Sequence, residues 1–199
     1  MRKIQDLGGI VVACSQSDGT LYDPSGINFE TVRMLKEVER KRLQDYVELH
    51  PNSEFREGRN VWEVKCDAAF PCATQNEILE SDAQTLLANG CTLICEGANM
   101  PTHPDALKLF RDAGILFGPG KAANAGGVAV SALEMQQNAG WESWSFARVD
   151  NELKKIMTSI HGTCLHYADR FGSPGDYVVG ANIGGFLRVA HAMSAMGVT

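Results

Sequence analysis

At 199 residues, 44% hydrophobic and 21% charged, the chain has ordinary globular composition and enough length to bury a sizeable core. A net charge of −6 with no basic stripe argues against nucleic acid as a partner. No stretch is apolar for long enough to span a bilayer and the N-terminus lacks a signal-peptide plan, so a cytoplasmic protein with no membrane partner is the expectation.

In chain order, Met1 to Gly9 reads as the last turns of an amphipathic helix closed by a glycine C-cap, as if something preceded it. Ile10 to Ala13 form a short β-branched strand, followed by polar turns at Ser15 to Thr20 and Leu21 to Gly26. Asn28 caps a helix whose apolar residues Phe29, Val32, Met34, Leu35 and Val38 recur three and four apart. That helix is expected to continue past Leu43, Tyr46 and Val47. Lys36 to Arg42 mixes charges of both signs and reads as its solvated face. Pro51 to Asn60 reads as loop, Val61 to Val64 as a short strand, and Asp67 to Pro71 as a brief buried strand. A helix from Glu77 to Ala88 ends at Asn89-Gly90, and Cys91 to Cys95 is the next strand. Thr102 caps a further helix through Ala113, ended by Gly114.

The stretch from Ile115 to Met135 organises the rest. Ile115, Leu116 and Phe117 end a buried strand, and four glycines within ten residues then precede helical periodicity from Val128. A strand emptying through a glycine-rich loop into a helix leaves unpaired backbone N–H groups, a geometry suited to an anion or polar ligand. Asn124 in the loop and Ser131 in the first helical turn are the side chains placed to read it. Glycines that merely permit close helix–sheet packing are the competing reading. The loose G-x-G-x-x-A match at Gly118 to Ala123 is a decoy as a dinucleotide fingerprint, because Pro119 removes an N–H. Beyond Glu134 the pattern turns helical, around Val149 to Arg170 and again from Asp176 to Met196.

Short apolar strands alternating with helices imply an α/β protein, a parallel sheet with helices on both faces whose ligands bind at the carboxyl-end loops. The six cysteines and five histidines fit no metal-ligand spacing, and buried free thiols with no metal are expected.

Four stretches carry a resemblance: Pro71-Cys72-Ala73-Thr74-Gln75-Asn76, Glu96-Gly97-Ala98-Asn99-Met100-Pro101-Thr102, Pro119 to Met135, and Gly180-Ala181-Asn182-Ile183-Gly184-Gly185-Phe186. In this order they resemble glutamate dehydrogenase, most of all its small hexameric, NADP-preferring branch, and only the cofactor-binding half of it. The resemblance implies a Rossmann-like sheet truncated at its N-terminus over residues 1–140, lacking its first strand and glycine loop, then a helical segment over 141–199. The implied reaction is reversible oxidative deamination of L-glutamate to 2-oxoglutarate and ammonia, by a homo-oligomer at full length.

By the same resemblance, Ala73, Thr74 and Gln75 lie along the adenosine and its ribose, and Asn99 lies near the nicotinamide ribose. Asn124 stands between nicotinamide and substrate, Val128 contacts the glutamate side chain, and Ser131 bonds its γ-carboxylate. A serine donor fits a carboxylate in a water-poor pocket, whereas a buried hydroxyl left unpaired against an alkyl side chain costs about 1–3 kcal/mol. Ser15, Gln16 and Ser17 stand where an NAD enzyme places a carboxylate for the ribose 2′-hydroxyl, so uncharged hydrogen-bonding groups favour NADP over NAD. The family commonly has aspartate where Gln16 stands.

No lysine here sits in a motif resembling the family's catalytic lysine, so no catalytic residue is expected in this chain, and turnover by it alone is not. The alternative is a non-catalytic truncated paralogue that binds another protein chain. The last helix, with Phe186, Val189, Met193 and Met196 on one side, is expected to expose that side.

Overall fold

The computed structural model describes residues 1–197, which form two compact units. The first comprises Met1–Cys66 with Thr85–Gly90, the second Asp67–Gln84 with the chain from Cys91 onward.

In the first unit, α1 (Arg2–Asp6) closes at Gly8, whose φ of +87° is the left-handed conformation a glycine takes past a helix end. The expected strand at Ile10 to Ala13 lies further on, as β1 (Ala13–Gln16). It turns back at Ser17-Asp18 into β2 (Gly19–Tyr22), so the region read as two polar turns is a hairpin. The supposed loop at Pro51 to Asn60 contains β3 (Glu54–Glu57), which pairs antiparallel with β2. Gly19 makes that pairing possible, because a Cβ there would stand 2.5 Å from the Arg56 carbonyl. This unit therefore carries an antiparallel sheet in the order β1-β2-β3, where only parallel pairing was expected.

The long helix expected after Asn28 is broken. Asn28 Oδ1 accepts from Thr31 N–H at 3.0 Å and opens α2 (Phe29–Arg33), which runs on as a π-helical turn over Met34–Val38. The chain reverses at Arg40 (φ +53°) and resumes as a 3-10 turn at Leu43–Asp45 and α3 (Tyr46–Leu49). A continuous helix would carry Tyr46 roughly 16 Å along its axis from Leu35. The break instead folds Leu35, Leu43 and Tyr46 into one core with Leu21 and Ile27. Val61 to Val64 is a 3-10 turn over Val61–Glu63 rather than a strand, capped by Asn60 Oδ1 on Trp62 N–H and seating Trp62 inside.

The second unit holds the parallel sheet. Its strands β4 (Ala68–Ala69), β5 (Leu93–Cys95) and β6 (Leu116–Gly118) lie in the order β4-β5-β6. The helix after β4, α4, spans Glu80–Ala88, later than Glu77, because Ile78 is held in a parallel bridge with Thr102. Between β5 and β6 runs α5 (Pro104–Asp112), capped by His103 and not by Thr102. Proline at the first helical position makes the residue before it the cap. His103 Nδ1 accepts from Asp105 N–H at 3.3 Å while the Thr102 side chain is buried. Phe110 of α5 stacks on Phe117 of β6, ring centroids 6.2 Å apart.

After β6 come α6 (Gly120–Ala123), α7 (Ala125–Ala139), α8 (Phe146–Arg170) and α9 (Tyr177–Met196). Helix α9 lies directly on α8, with Cys164 and Ala168 buried. Its other side leaves Phe186, Val189, Met193 and Met196 exposed, as expected. Among the described residues no helix is long and apolar enough to cross a membrane, and no group of three or more His, Cys, Asp and Glu side chains could hold a metal.

Candidate functional site

The carboxyl ends of all three parallel strands open into one cleft of about 630 Å³ in the second unit. The loop after β4 contributes Cys72, Ala73 and Gln75, the loop after β5 Gly97, Ala98 and Asn99, and the α6–α7 junction Asn124, Gly127, Val128 and Ser131. Crevices at these ends are where open α/β sheets bind ligands. Six residues singled out from the sequence, Ala73, Gln75, Asn99, Asn124, Val128 and Ser131, thus share a wall. Thr74 is exposed beside them without lining the cleft.

The loops are laced together by backbone bonds. The Pro71 carbonyl accepts from both Gly97 N–H (2.9 Å) and Ala98 N–H (3.1 Å), and Asn76 N–H donates to the Met100 carbonyl at 3.0 Å. A Cβ at Gly97 would come within 2.5 Å of Cys72 Sγ, so glycine lets the two loops approach without displacing that side chain. Asn76 and Met100 both take left-handed φ, at 55° and 51°, a conformation worth about 1–2 kcal/mol of strain outside glycine that the paired loops hold in place. Asn124 Nδ2 donates to Asn99 Oδ1 at 2.7 Å and to the Ala98 carbonyl at 3.2 Å, so the two asparagines form one polar unit.

Beneath them Glu96 is buried, 7% exposed, at the end of β5. Its Oε2 accepts from Gly120 N–H at 2.5 Å and its Oε1 from Thr102 N–H at 3.3 Å. Two of the N–H groups expected to be free in the glycine loop are therefore already engaged. Gly120 N–H meets Glu96, and Gly127 N–H donates to the Asn124 carbonyl at 3.2 Å. At Gly120 the group that meets the N–H is the chain's own carboxylate. Helix α7 also begins at Ala125 rather than Val128, which puts Ser131 in its second turn. The helix dipole fades beyond the first turn, so Ser131 can act only through its hydroxyl. That hydroxyl donates to the Gly127 carbonyl at 3.2 Å. A Cβ added at Gly127 would meet nothing within 4 Å, leaving Val128 and Ser131 an open approach.

The acid–base groups nearby are subdued. Burial pushes the Cys72 thiol up, and Glu77 beside it adds to the shift. Burial likewise raises Glu77, against the opposing bond from Ala73 N–H (2.9 Å to Oε1). Cys95 is raised by burial and by its neighbours Cys72 and Glu96. Cys72 is the exposed member among the free cysteines, and its raised pKa keeps it a thiol at neutral pH.

Ser15, Gln16 and Ser17 lie in the first unit, Ser15 and Gln16 on β1 and Ser17 at the hairpin turn, all exposed. Sequence reasoning missed their neighbour Lys36, read as part of a solvated face. Its Nζ donates to Gln16 Oε1 at 3.3 Å and to the Lys41 carbonyl at 3.2 Å, a cation fixed beside the uncharged trio. The mixed-sign run Lys36 to Arg42 was the only signal, and periodicity could not say which of its members turns toward β1. Lys121 is engaged elsewhere, by Asn182 of α9.

A sequence profile described as Glutamate/Leucine/Phenylalanine/Valine dehydrogenase matches residues 1–197. The chain is 49% identical to a glutamate dehydrogenase of Bacteroides thetaiotaomicron, over all of this chain and 45% of that protein. It is 47% identical to an NADP-specific glutamate dehydrogenase of Helicobacter pylori, again over all of this chain and 46% of the relative. The crystal structure of Plasmodium falciparum glutamate dehydrogenase superposes with a TM-score of 0.93 at 40% identity, covering 98% of this chain and 43% of that one. The chain thus spans a little under half the length of the relatives it matches.

Proposed function

Because the chain belongs to the glutamate/leucine/phenylalanine/valine dehydrogenase family, we propose that it is the cofactor-binding portion of a cytoplasmic, homo-oligomeric NADP-dependent glutamate dehydrogenase. The observation that carries this reading is the convergence of Asn99, Asn124, Val128 and Ser131 on one cleft at the strand ends. In this reading residues 1–140 are a partial dinucleotide-binding domain and 141–199 a helical segment. Ala73, Thr74 and Gln75 lie along the adenosine and its ribose, and the Asn99–Asn124 pair orients the nicotinamide ribose and the substrate's amino-acid group. Val128 packs on the glutamate side chain, and Ser131 turns its proton from the Gly127 carbonyl to the γ-carboxylate. The bound cofactor would supply the hydride chemistry, and these residues supply orientation and exclusion of water.

Preference for NADP rests on charge. Ser15, Gln16 and Ser17 present no carboxylate to repel a 2′-phosphate, and Lys36 stands beside Gln16 to attract one. Lys36→Ala is expected to weaken NADPH binding roughly three- to tenfold and to leave NADH binding within about twofold, the scale of one partly screened ion contact. Fluorescence titration of the chain with each nucleotide checks this, and equal losses for both would remove the 2′-phosphate role.

Substrate choice rests on Ser131. In the intact native protein, Ser131→Ala is expected to lower kcat/KM for glutamate by roughly ten- to a hundredfold, the loss of a hydrogen bond to a charged group. Steady-state NADPH formation with glutamate and with leucine decides it. A variant that loses nothing with glutamate would shift the assignment to another amino acid. A native protein that binds neither nucleotide would refute the dehydrogenase reading as a whole.

A further inference from the structure

We infer that Glu96 is the positioning residue of this cleft, a buried carboxylate that ties the loop after β5 to the start of α6 and so sets Asn99 against Asn124. The inference rests on the cofactor reading for its ligand, and on geometry for the tie itself.

Glu96 is a carboxylate 7% exposed, and none of the ion pairs among the described residues includes it. A buried charge survives only if its oxygens are satisfied, and here backbone does that work. Its two oxygens take one N–H from each side of the cleft floor, Thr102 at the end of its own loop and Gly120 at the start of α6. The fit is close. A Cβ on Gly120 would stand 3.2 Å from Glu96 Oε2 and 2.8 Å from the Ala98 carbonyl, so only glycine lets the helix start this near. One turn past Gly120, Asn124 reaches back to Ala98 and Asn99 of the loop that Glu96 anchors. The carboxylate and the asparagine amide thus bracket the same junction from below and above. They do so beside the backbone bond from Glu96 N–H to the Gly118 carbonyl, which joins the same two strand ends.

Glutamine is nearly isosteric but has one acceptor oxygen and an NH₂ group, so in Glu96→Gln a donor must face either Thr102 N–H or Gly120 N–H. The tie is then lost on one side without a change of volume. In the chain itself, E96Q is expected to raise amide exchange roughly tenfold in peptides spanning Gly120 and Thr102, and to weaken NADPH binding roughly tenfold. Glu96→Asp keeps the charge on a shorter arm and should fall between E96Q and the parent. Ala168→Gly, on α8 away from the cleft, serves as a variant of comparable destabilisation that keeps NADPH affinity.

Faster exchange at both peptides, with weaker NADPH binding than A168G at matched thermal stability, supports the proposal. Unchanged exchange overturns it, as does unchanged NADPH affinity in a parent that binds. If A168G weakens NADPH as much as E96Q, the effect is general loosening and the proposal falls. If the parent binds no NADPH, the cofactor reading fails separately, and the side-chain amide resonances of Asn99 and Asn124 decide the tie alone. Movement of both in E96Q upholds it, and resonances that stay put refute it.

Discussion

Replacing Gly180 with alanine is expected to part α9 from α8 and to cost about 3 kcal/mol or more, at the upper end of what overpacking does. The Cβ would stand 1.9 Å from the Cys164 carbonyl oxygen and 2.7 Å from its carbon. Both obstacles are backbone of α8, which cannot swing aside as a side chain does. The close approach continues one turn on, where a Cβ added at Gly184 would stand 3.0 Å from the Tyr167 ring and 3.3 Å from the Thr163 methyl. For a chain of this size, about 3 kcal/mol corresponds to roughly 6–12 °C in Tm. Gly185, on the same helix, is the control. A Cβ there meets nothing within 4 Å, so Gly185→Ala gains up to about 1 kcal/mol of helix propensity. Thermal unfolding followed by circular dichroism separates the two, and equal behaviour would mean that close packing is not why position 180 is glycine.

The second large effect is expected at Phe110. Its side chain is fully buried on α5 and stacked on Phe117, the residue from which β6 runs into Gly118 and the cleft. Phe110→Ala removes the ring and leaves a cavity, and such changes cost about 3–5 kcal/mol. The loss extends to the site, because β6 holds the start of α6 through Glu96, and Glu96 N–H itself donates to the Gly118 carbonyl at 2.9 Å. Phe110→Leu, keeping most of the volume, should cost under about 1.5 kcal/mol. Urea unfolding of both variants measures the difference. A Phe110→Ala chain as stable as the parent would mean that α5 does not support the sheet.

The sequence signals that held are those written in local chemistry. Asn28 and Asp176, where helices were expected to begin, each cap one with their own side chain, because a cap needs only a short polar group and the N–H three residues on. The strands at Ala68, Leu93 and Leu116 lay inside apolar runs bounded by polar or glycine exits, and those exits are the walls of the cleft. Asn124 and Ser131 were legible for that reason, while Ala73, Gln75, Asn99 and Val128 were reached only through the motif resemblance, although they line the same exits.

Other features were set by contacts distant in sequence, and no local pattern carries them. Whether the chain after Ala13 turns into a hairpin depends on β3, some forty residues on, and on a close approach that Gly19 permits. The break in the helix after Asn28 follows from the need to bring Leu35, Leu43 and Tyr46 to one core, which helical periodicity alone does not express. The same holds at the site. A glycine-rich loop before a helix reads as unpaired N–H groups, yet the one on Gly120 is bonded to a carboxylate twenty-four residues upstream. Charge on Lys36 is visible in the sequence, but its direction toward Gln16 is a property of the folded chain. Caps and apolar spacing thus determined the parallel sheet, and four local motifs carried the family resemblance and most of the cleft's residues, because each is encoded within a few positions. Register, helix breaks and the partners of buried charge were decided only in tertiary structure, where groups far apart in the chain compete for the same space and the same hydrogen bonds.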